Sequence, residues 1–550
     1  MKNRIKQYLL AASMCVGLTA CSDFFEPIPG VQFGLDETFA SKQRTEEYLN
    51  NVYSYVREVT DAIHPNTYGG IFTEASLDGA NRWNKTYAEW TNGSFNSASA
   101  QASEYFSKYY QAIAKASTFI QNVDKCTEAA ASTRGKWKSE ARALRAYYYF
   151  ELLRLYGPIP LIGEDPIPLD ASLEELIKER NSVDECVNFI ATELQSAIDS
   201  GDLLQRAGKA NLGRMDVATC MALKAKLYLY WASPLFNGNT DQASVKNKDG
   251  KQLFPQTEDN SKWAQARDAY ERFMTFATGQ GYKLTEVYTN GKLDPYASCR
   301  AAGEFFTTTW EAVDELIFVK LRDLYDYTYW VCPKFTDFQD TDVTGGGGYY
   351  TTQETVDLFF TKDGLTIEED PGYDKFEGIP GANNFTSGRY YDPNNPSRLY
   401  FDADKSKVLK QWKDREPRFY VNITYSGSIW LNEGKYNEEM RTDFTNGANG
   451  TCGKSKASGD CPDSGYLIRR GAKASNNNGS KHFSPVLRLA DMYLGYAEAL
   501  CMCSDLDNAL TYLNKIRVRA GIPEYTFTAT AGKITCPKTQ TDLLNRIRRE

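Results

Sequence analysis

Ala141, Leu144, Tyr148, Leu152 and Leu155 recur at steps of 3, 4, 4 and 3 within SEARALRAYYYFELLRLYGPIPLI. That spacing keeps them on one face of an α-helix. Gly157-Pro158 stops the helix, and Pro160 keeps the exit extended. A second stripe runs through RMDVATCMALKAKLYLYWASPLF, on Val217, Cys220, Leu223, Leu227 and Tyr230. Ala218, Ala222 and Ala225 within it permit close helix approach, and Pro234 ends it. Further patterns predict helices near 41–59, 101–125, 182–200 and 261–278.

Near the end of the chain, LRLADMYLGYAEALCMCSDLDNALTYLNKIRVRAGIP predicts two helices around a short SDLD turn. Ser504 or Asp505 would cap the second, and Leu506, Leu510, Leu513 and Ile516 form its apolar face. Paired helices with Tyr and Ala at tight positions resemble a tetratricopeptide hairpin, a unit that stacks to bury a shared face. Cys501 and Cys503 read as small apolar residues of this pair. From about 281 to 484 the pattern changes. Gly, Asn, Asp, Tyr and Pro dominate, and only short strands are expected, in ELIFVK at 315–320 and RFYVNITY at 418–425. The GGGG at 345–348 predicts a turn; no Lys-Ser/Thr helix start follows it, as a phosphate loop would require. The expected fold is mainly α: tetratricopeptide-like helix pairs as scaffold, over about 41–280 and 485–550, carrying a loop-rich ligand-binding lobe with few short strands over about 281–484.

The N-terminus adds an address. MKNRIK is a positive segment, and YLLAASMCVGLTA is an apolar run of 13 residues. A bilayer span needs about 20, so residues 1–20 read as a signal peptide. The run ends in Leu18-Thr19-Ala20-Cys21, which resembles a bacterial lipobox with Cys21 as the lipidated first residue of the mature chain. Residues 21–40 read as a tether, and the acidic CSDFFE start resembles the surface-export signal of Bacteroidetes lipoproteins. The formal charge of −8 and the lack of a basic stripe argue against nucleic acid. With only two His, His64 and His482, metal sites and histidine catalysis are not expected. The 36 Tyr suit wet binding surfaces. Cys452 and Cys461 bracket TCGKSKASGDC, a loop that an exported protein could close as a disulfide worth about 2–3 kcal/mol.

Taken together, the lipobox, SEARALRAYYYFELLRLYGPIPL, ALKAKLYLYWASPLF and LRLADMYLGYAEAL…NALTYLNKIRVRAGIP, in that order, resemble the SusD/RagB family of Bacteroidetes outer-membrane lipoproteins. The resemblance implies a helical fold with tetratricopeptide-like pairs on one side and a ligand lobe on the other. It implies an outer-membrane location, anchored by lipid and facing the cell exterior. It also implies a partner, a SusC-like TonB-dependent transporter over which the lipoprotein sits as a lid. Family members continue past an Arg-Arg-Glu segment into a helix and a Phe-Asp-Leu-type tail. This sequence stops at LLNRIRRE, so a truncated C-terminus is expected.

No GxSxG, HExxH or Walker pattern is present, and catalysis is not expected. Cofactors are not expected either; calcium is considered only at Asp340, with Asp337 and Asp342 beside it, while Asp402 and Asp404 read as solvated loop residues. Aromatic clusters carry the binding argument. YDYTYWVCPKF holds Tyr327, Tyr329 and Trp330, with Tyr329 and Trp330 on opposite sides if the piece is extended. SLDGANRWNKTYAEWTNGSFN places Arg82, Trp83, Tyr87 and Trp90 in an early loop, and DPYASCR places Tyr296 in a third. Aromatic faces stack on sugar C–H faces while Arg and Asn serve the hydroxyls. The expected function is capture of an oligosaccharide for delivery to the transporter. A peptide, as in the RagB branch, is the rival ligand; a structural or adhesive lipoprotein is the rival of another class, and a surface hydrolase comes last.

Overall fold

The structure, a computed structural model, describes residues 34–550 except 57–62, 65–66, 69–75, 77, 83–88, 90–92, 164, 166, 168–170, 304–313, 323–328, 336–344, 377, 431–439, 446–451, 454–458 and 473–481. Its principal helices are α1 Lys42–Tyr53, α2 Ala100–Asn122, α3 Ala131–Tyr156, α4 Val183–Asp199, α5 Val217–Ala232 and α6 Ser261–Gly279. After these come α7 Pro295–Gly303, α8 Pro417–Asn422, α9 Leu489–Met502, α10 Leu506–Ala520 and α11 Gln540–Arg549. The architecture is mainly α, as the periodicity predicts.

Successive helices pack on one another: α2 on α3, α3 on α4, α4 on α5 and α5 on α6. The stack then skips the middle of the chain, with α6 packing on α9, and α9 on α10 and α11. Local chemistry sets the helix ends. At α4 the Ser182 hydroxyl accepts from the Glu185 N–H and the Glu185 carboxylate accepts from the Ser182 N–H. Asp505, one of the two expected caps, accepts from the Asn508 N–H at the start of α10. Gly521 ends that helix at φ 75°, a left-handed conformation in which Pro295 lies too close for any Cβ. Ala218, Ala222 and Ala225 are fully buried, so α5 meets its neighbours at close range. Tyr147, Tyr148 and Tyr149 are buried in the scaffold core.

One charge pair sits inside this core. Arg145 on α3 donates from Nε to Glu193 on α4 at 2.8 Å and from Nη1 to Ser117 on α2 at 3.0 Å. Arg142 adds a second contact to Glu193 at 2.8 Å. The pair thus joins three consecutive helices.

Short strands come from the early loop, β1 Ala80–Asn81, and from the loop-rich middle and its end: β2 Leu316–Arg322, β3 Tyr349–Tyr350, β4 Arg389–Asp392, β5 Asn395–Asp402, β6 Ile423–Tyr425, β7 Tyr466–Ile468 and β8 His482–Arg488. An antiparallel sheet has the order β6-β7-β3-β1, while β2 pairs with β8 and β4 with β5. RFYVNITY differs from the expectation. Its first part is α8 and only Ile423–Tyr425 is strand, because Pro417 sits at the first helical position, where its fixed φ favours a helix start. The lobe has two apolar clusters of its own. One surrounds Trp430 with Val331, Cys332, Phe335 and Cys452; the other centres on Tyr400 stacked on Tyr420 at 3.9 Å. Neither is part of the scaffold core.

Glu193→Leu would leave Arg145 as a buried charge without its carboxylate. It is expected to destabilise the scaffold by about 3–5 kcal/mol, seen as a lower denaturation midpoint. Adding Arg145→Leu should recover part of that loss; a double variant no better than the single would show that the charge pair is not what the single change breaks.

Candidate ligand-binding site

The tetraglycine at 345–348 organises the candidate site. Its four N–H groups donate to the 329–333 turn: Gly345 to Pro333 O at 3.0 Å, Gly346 to Tyr329 O at 2.7 Å, Gly347 to Cys332 O at 2.9 Å and Gly348 to Trp330 O at 3.2 Å. A Cβ on Gly346 would fall 2.6 Å from Trp330 Cζ3 and 2.8 Å from Tyr329 Cε1. The run is therefore glycine because two aromatic rings lie against its backbone. It is a docked strip, not merely a turn.

Tyr329 and Trp330 occupy a helical turn, with ring centroids 4.9 Å apart and planes at 78°. The extended alternation expected for this stretch does not hold there, because Gly346 and Gly348 accept only a curled partner whose carbonyls point one way. Both rings are half-buried, and Trp330 packs on the Trp430 cluster. The early loop arrives from the other side. β1 pairs with β3, and the Arg82 N–H donates to Gly348 O at 3.0 Å. The Arg82 side chain donates to Cys461 O at 3.2 Å and pairs with Asp463. Lys334 adds a pair to Asp460 at 2.5 Å.

Three predicted residues, Arg82, Tyr329 and Trp330, are thus gathered on one strip. Trp83, Tyr87, Trp90 and Tyr327 lie outside the described residues, as do Cys21, Asp337, Asp340 and Asp342. Tyr296 is a correction. It sits in the first turn of α7, not a loop, and is 6% exposed. Its ring meets Tyr400 at 5.7 Å and carries the Arg398 guanidinium 4.2 Å above it, so it belongs to the lobe core. Cys452 and Cys461 are a second correction, since they are not joined to each other. Cys452 is buried in the Trp430 cluster with Cys332, whose thiol is pushed up by burial, with Cys452 adding to the shift. Asp402 and Asp404 also serve the fold: Asp404 accepts from the Gly388 N–H at 2.8 Å. The sequence reading passed over Asp463, Asp460 and the seating of the glycines. Four adjacent glycines beside an aromatic run were the available signal.

The arrangement offers two half-buried rings set nearly at right angles, a guanidinium held by Asp463, and backbone carbonyls around them. It suits reversible contact with a ligand that has both an apolar face and hydroxyls. A cavity of about 550 Å³ lies elsewhere, at the joint between scaffold and lobe. Its Arg418 and Arg519 are already paired, with Glu416 and Glu315 respectively, at 2.5 and 2.7 Å.

Residues 315–550 match the model of the SusD family, under the heading SusD/RagB. Residues 32–229 match a second model, described as starch-binding and associating with the outer membrane. A SusD-like protein of Bacteroides ovatus is 27% identical over 175 residues, which is 30% of this chain and 30% of that protein. The solved structure of the protein BT4246 has a TM-score of 0.70 at 25% identity, covering 92% of this chain and 86% of that one. That of a SusD-like protein from Bacteroides fragilis NCTC 9343 has a TM-score of 0.66 at 21% identity, covering 94% and 85%.

Gly346→Ala is expected to push the Trp330 and Tyr329 rings off the strip. Near-ultraviolet circular dichroism should change, with a stability loss of about 1–3 kcal/mol. An unchanged aromatic spectrum would mean that the rings do not rest on this glycine.

Proposed function

The chain belongs to the SusD/RagB family, and on that premise we propose that it is a cell-surface lipoprotein that captures an oligosaccharide and delivers it to a SusC-like TonB-dependent outer-membrane transporter. The observation that carries the reading is the meeting of Arg82 with Tyr329 and Trp330 across Gly348. Residues far apart in sequence are joined there through the backbone of one glycine, which supports reading them as parts of a sugar-binding surface. The description of the second matching model, starch-binding and associating with the outer membrane, supports both the ligand class and the location.

On this reading the mechanism is binding without a chemical step. An aromatic ring under a sugar contributes about 0.5–1.5 kcal/mol beyond area burial. The Arg82 fork, held by Asp463, presents donors to vicinal hydroxyls without first being ordered. Affinity for free glycan is modest as a result, and capture depends on residence at the transporter. The Leu18-Thr19-Ala20-Cys21 stretch supports a lipid on Cys21 as the attachment. Several acyl chains on one residue anchor durably, at about 0.8 kcal/mol per buried methylene.

Two experiments test the reading. The chain lacking residues 1–21 is titrated with a panel of oligosaccharides and a panel of peptides, beside Trp83→Ala and Trp330→Ala. Glycan binding weakened up to about tenfold by either change is expected. Binding of peptides alone would replace the ligand class. In cells, Cys21→Ala should move the protein from the membrane fraction to the soluble fraction; unchanged membrane retention would remove the lipid anchor from the reading.

A further inference from the structure

The Ser464–Tyr466 turn follows the Asp463 that Arg82 holds, and it also lines a separate cleft of about 590 Å³. That volume is in the range of small-molecule sites. Gln353, Gln411, Trp412, Ser426 and Phe376 line it with Ser464 and Tyr466.

Two features point to a ligand. First, one side is already organised by a relay of side chains. Trp412 Nε1 donates to the Tyr466 hydroxyl at 3.0 Å, that hydroxyl donates to Gln353 Oε1 at 2.7 Å, and Gln353 Nε2 donates to Asp357 at 2.8 Å. Groups fixed before binding lose little freedom on binding. Second, Gln411 is 6% exposed and lines the cleft, yet its side-chain amide has no hydrogen-bond partner among the described residues. That amide is open to the cleft rather than sealed away from it, so an incoming hydroxyl can pair with it directly. The Gln411 backbone is fixed meanwhile: its carbonyl accepts from the Tyr373 hydroxyl at 3.2 Å. Gly378 and Pro380 also line the cleft, and Ile379 between them is 95% exposed. An isoleucine held in water at the rim suits an apolar ligand face.

We propose that this cleft is a second saccharide site, taking a neutral hexopyranose unit of the same glycan. Amides and hydroxyls that both donate and accept match vicinal sugar hydroxyls, while Trp412, Tyr466 and Phe376 supply apolar contact. Asp357 and Lys375, of opposite sign, select no net ligand charge. The site rests on the glycan reading above, and adds where a longer chain would be held.

The test uses the chain lacking residues 1–21, titrated by calorimetry with maltoheptaose, cellohexaose, xylohexaose and mannohexaose. Gln411→Leu removes the amide at similar volume. Phe376→Ala changes a loop residue and should fold as the parent does, checked by melting temperature. Both changes are expected to weaken binding of at least one probe about threefold to tenfold, and Trp330→Ala is expected to leave residual binding that Gln411→Leu then removes. Loss confined to Trp330→Ala, with both cleft variants binding like the parent, overturns the cleft and leaves the glycan reading standing. A parent that binds none of the probes but binds peptides overturns both.

Discussion

Glu315 holds the two halves of the molecule together. It is buried at the start of β2, and its carboxylate accepts from Arg519 on α10 at 2.7 and 2.9 Å and from the Thr285 N–H at 2.8 Å. Its carbonyl accepts from the Leu489 N–H, the first residue of α9, at 2.8 Å. One residue therefore ties the segment after α6, a lobe strand and two helices of the last pair. Burial raises the cost of its charge, yet Arg519 and Arg488 outweigh that and hold its carboxyl below the usual range. Arg517 lies two positions earlier on α10, about 200° around the helix, so it reaches the other way. It donates to Gly364 O and Pro523 O at 2.8 Å, pairs with Glu550 at 3.0 Å and lies 3.7 Å over Tyr525.

These contacts matter because the apolar contact across the joint is small beside the cores on either side: Phe360 of the lobe packs with Ala520 and Ile522, and Ile317 and Phe318 of β2 enter the scaffold core. A greasy joint between them would tolerate sliding. A guanidinium offers donors in a rigid fork, so each arginine is satisfied in one relative position of its partners. The lobe is thereby set at one angle on the helix stack, and the strip carrying Tyr329 and Trp330 is fixed with it through β3 and the sheet.

The helix stack was legible in the chain because its cause is local. Ala141 to Leu155 and Val217 to Tyr230 show their buried face within a few turns, and Ser182 and Asp505 mark helix starts by residues three positions apart. The lobe was legible only as a composition. RFYVNITY has the residues of a strand, but Pro417 turns its first half into a helix. Tyr329 and Trp330 were correctly brought to notice as aromatic, but their conformation depends on Gly345–Gly348, which the strand reading did not couple to them. Arg82 and Asp463 are 381 positions apart, and no periodicity relates them. Tyr296 fails for the same reason: Arg398 and Tyr400, which bury it, lie a hundred residues further on.

The same distinction separates what each half contributes. The scaffold is over-determined: its alanines, caps and the Arg145–Glu193 pair all favour one packing. The lobe is specified by its own apolar clusters and by long-range polar contacts such as Arg82 with Asp463. Such a surface can change its side chains between relatives without losing its frame, since β3, the glycine strip and the two arginines of α10 hold the backbone. A surface built this way takes its side chains from the loops and its geometry from the scaffold. That division accounts for a fold shared at 21–25% identity over more than nine-tenths of the chain.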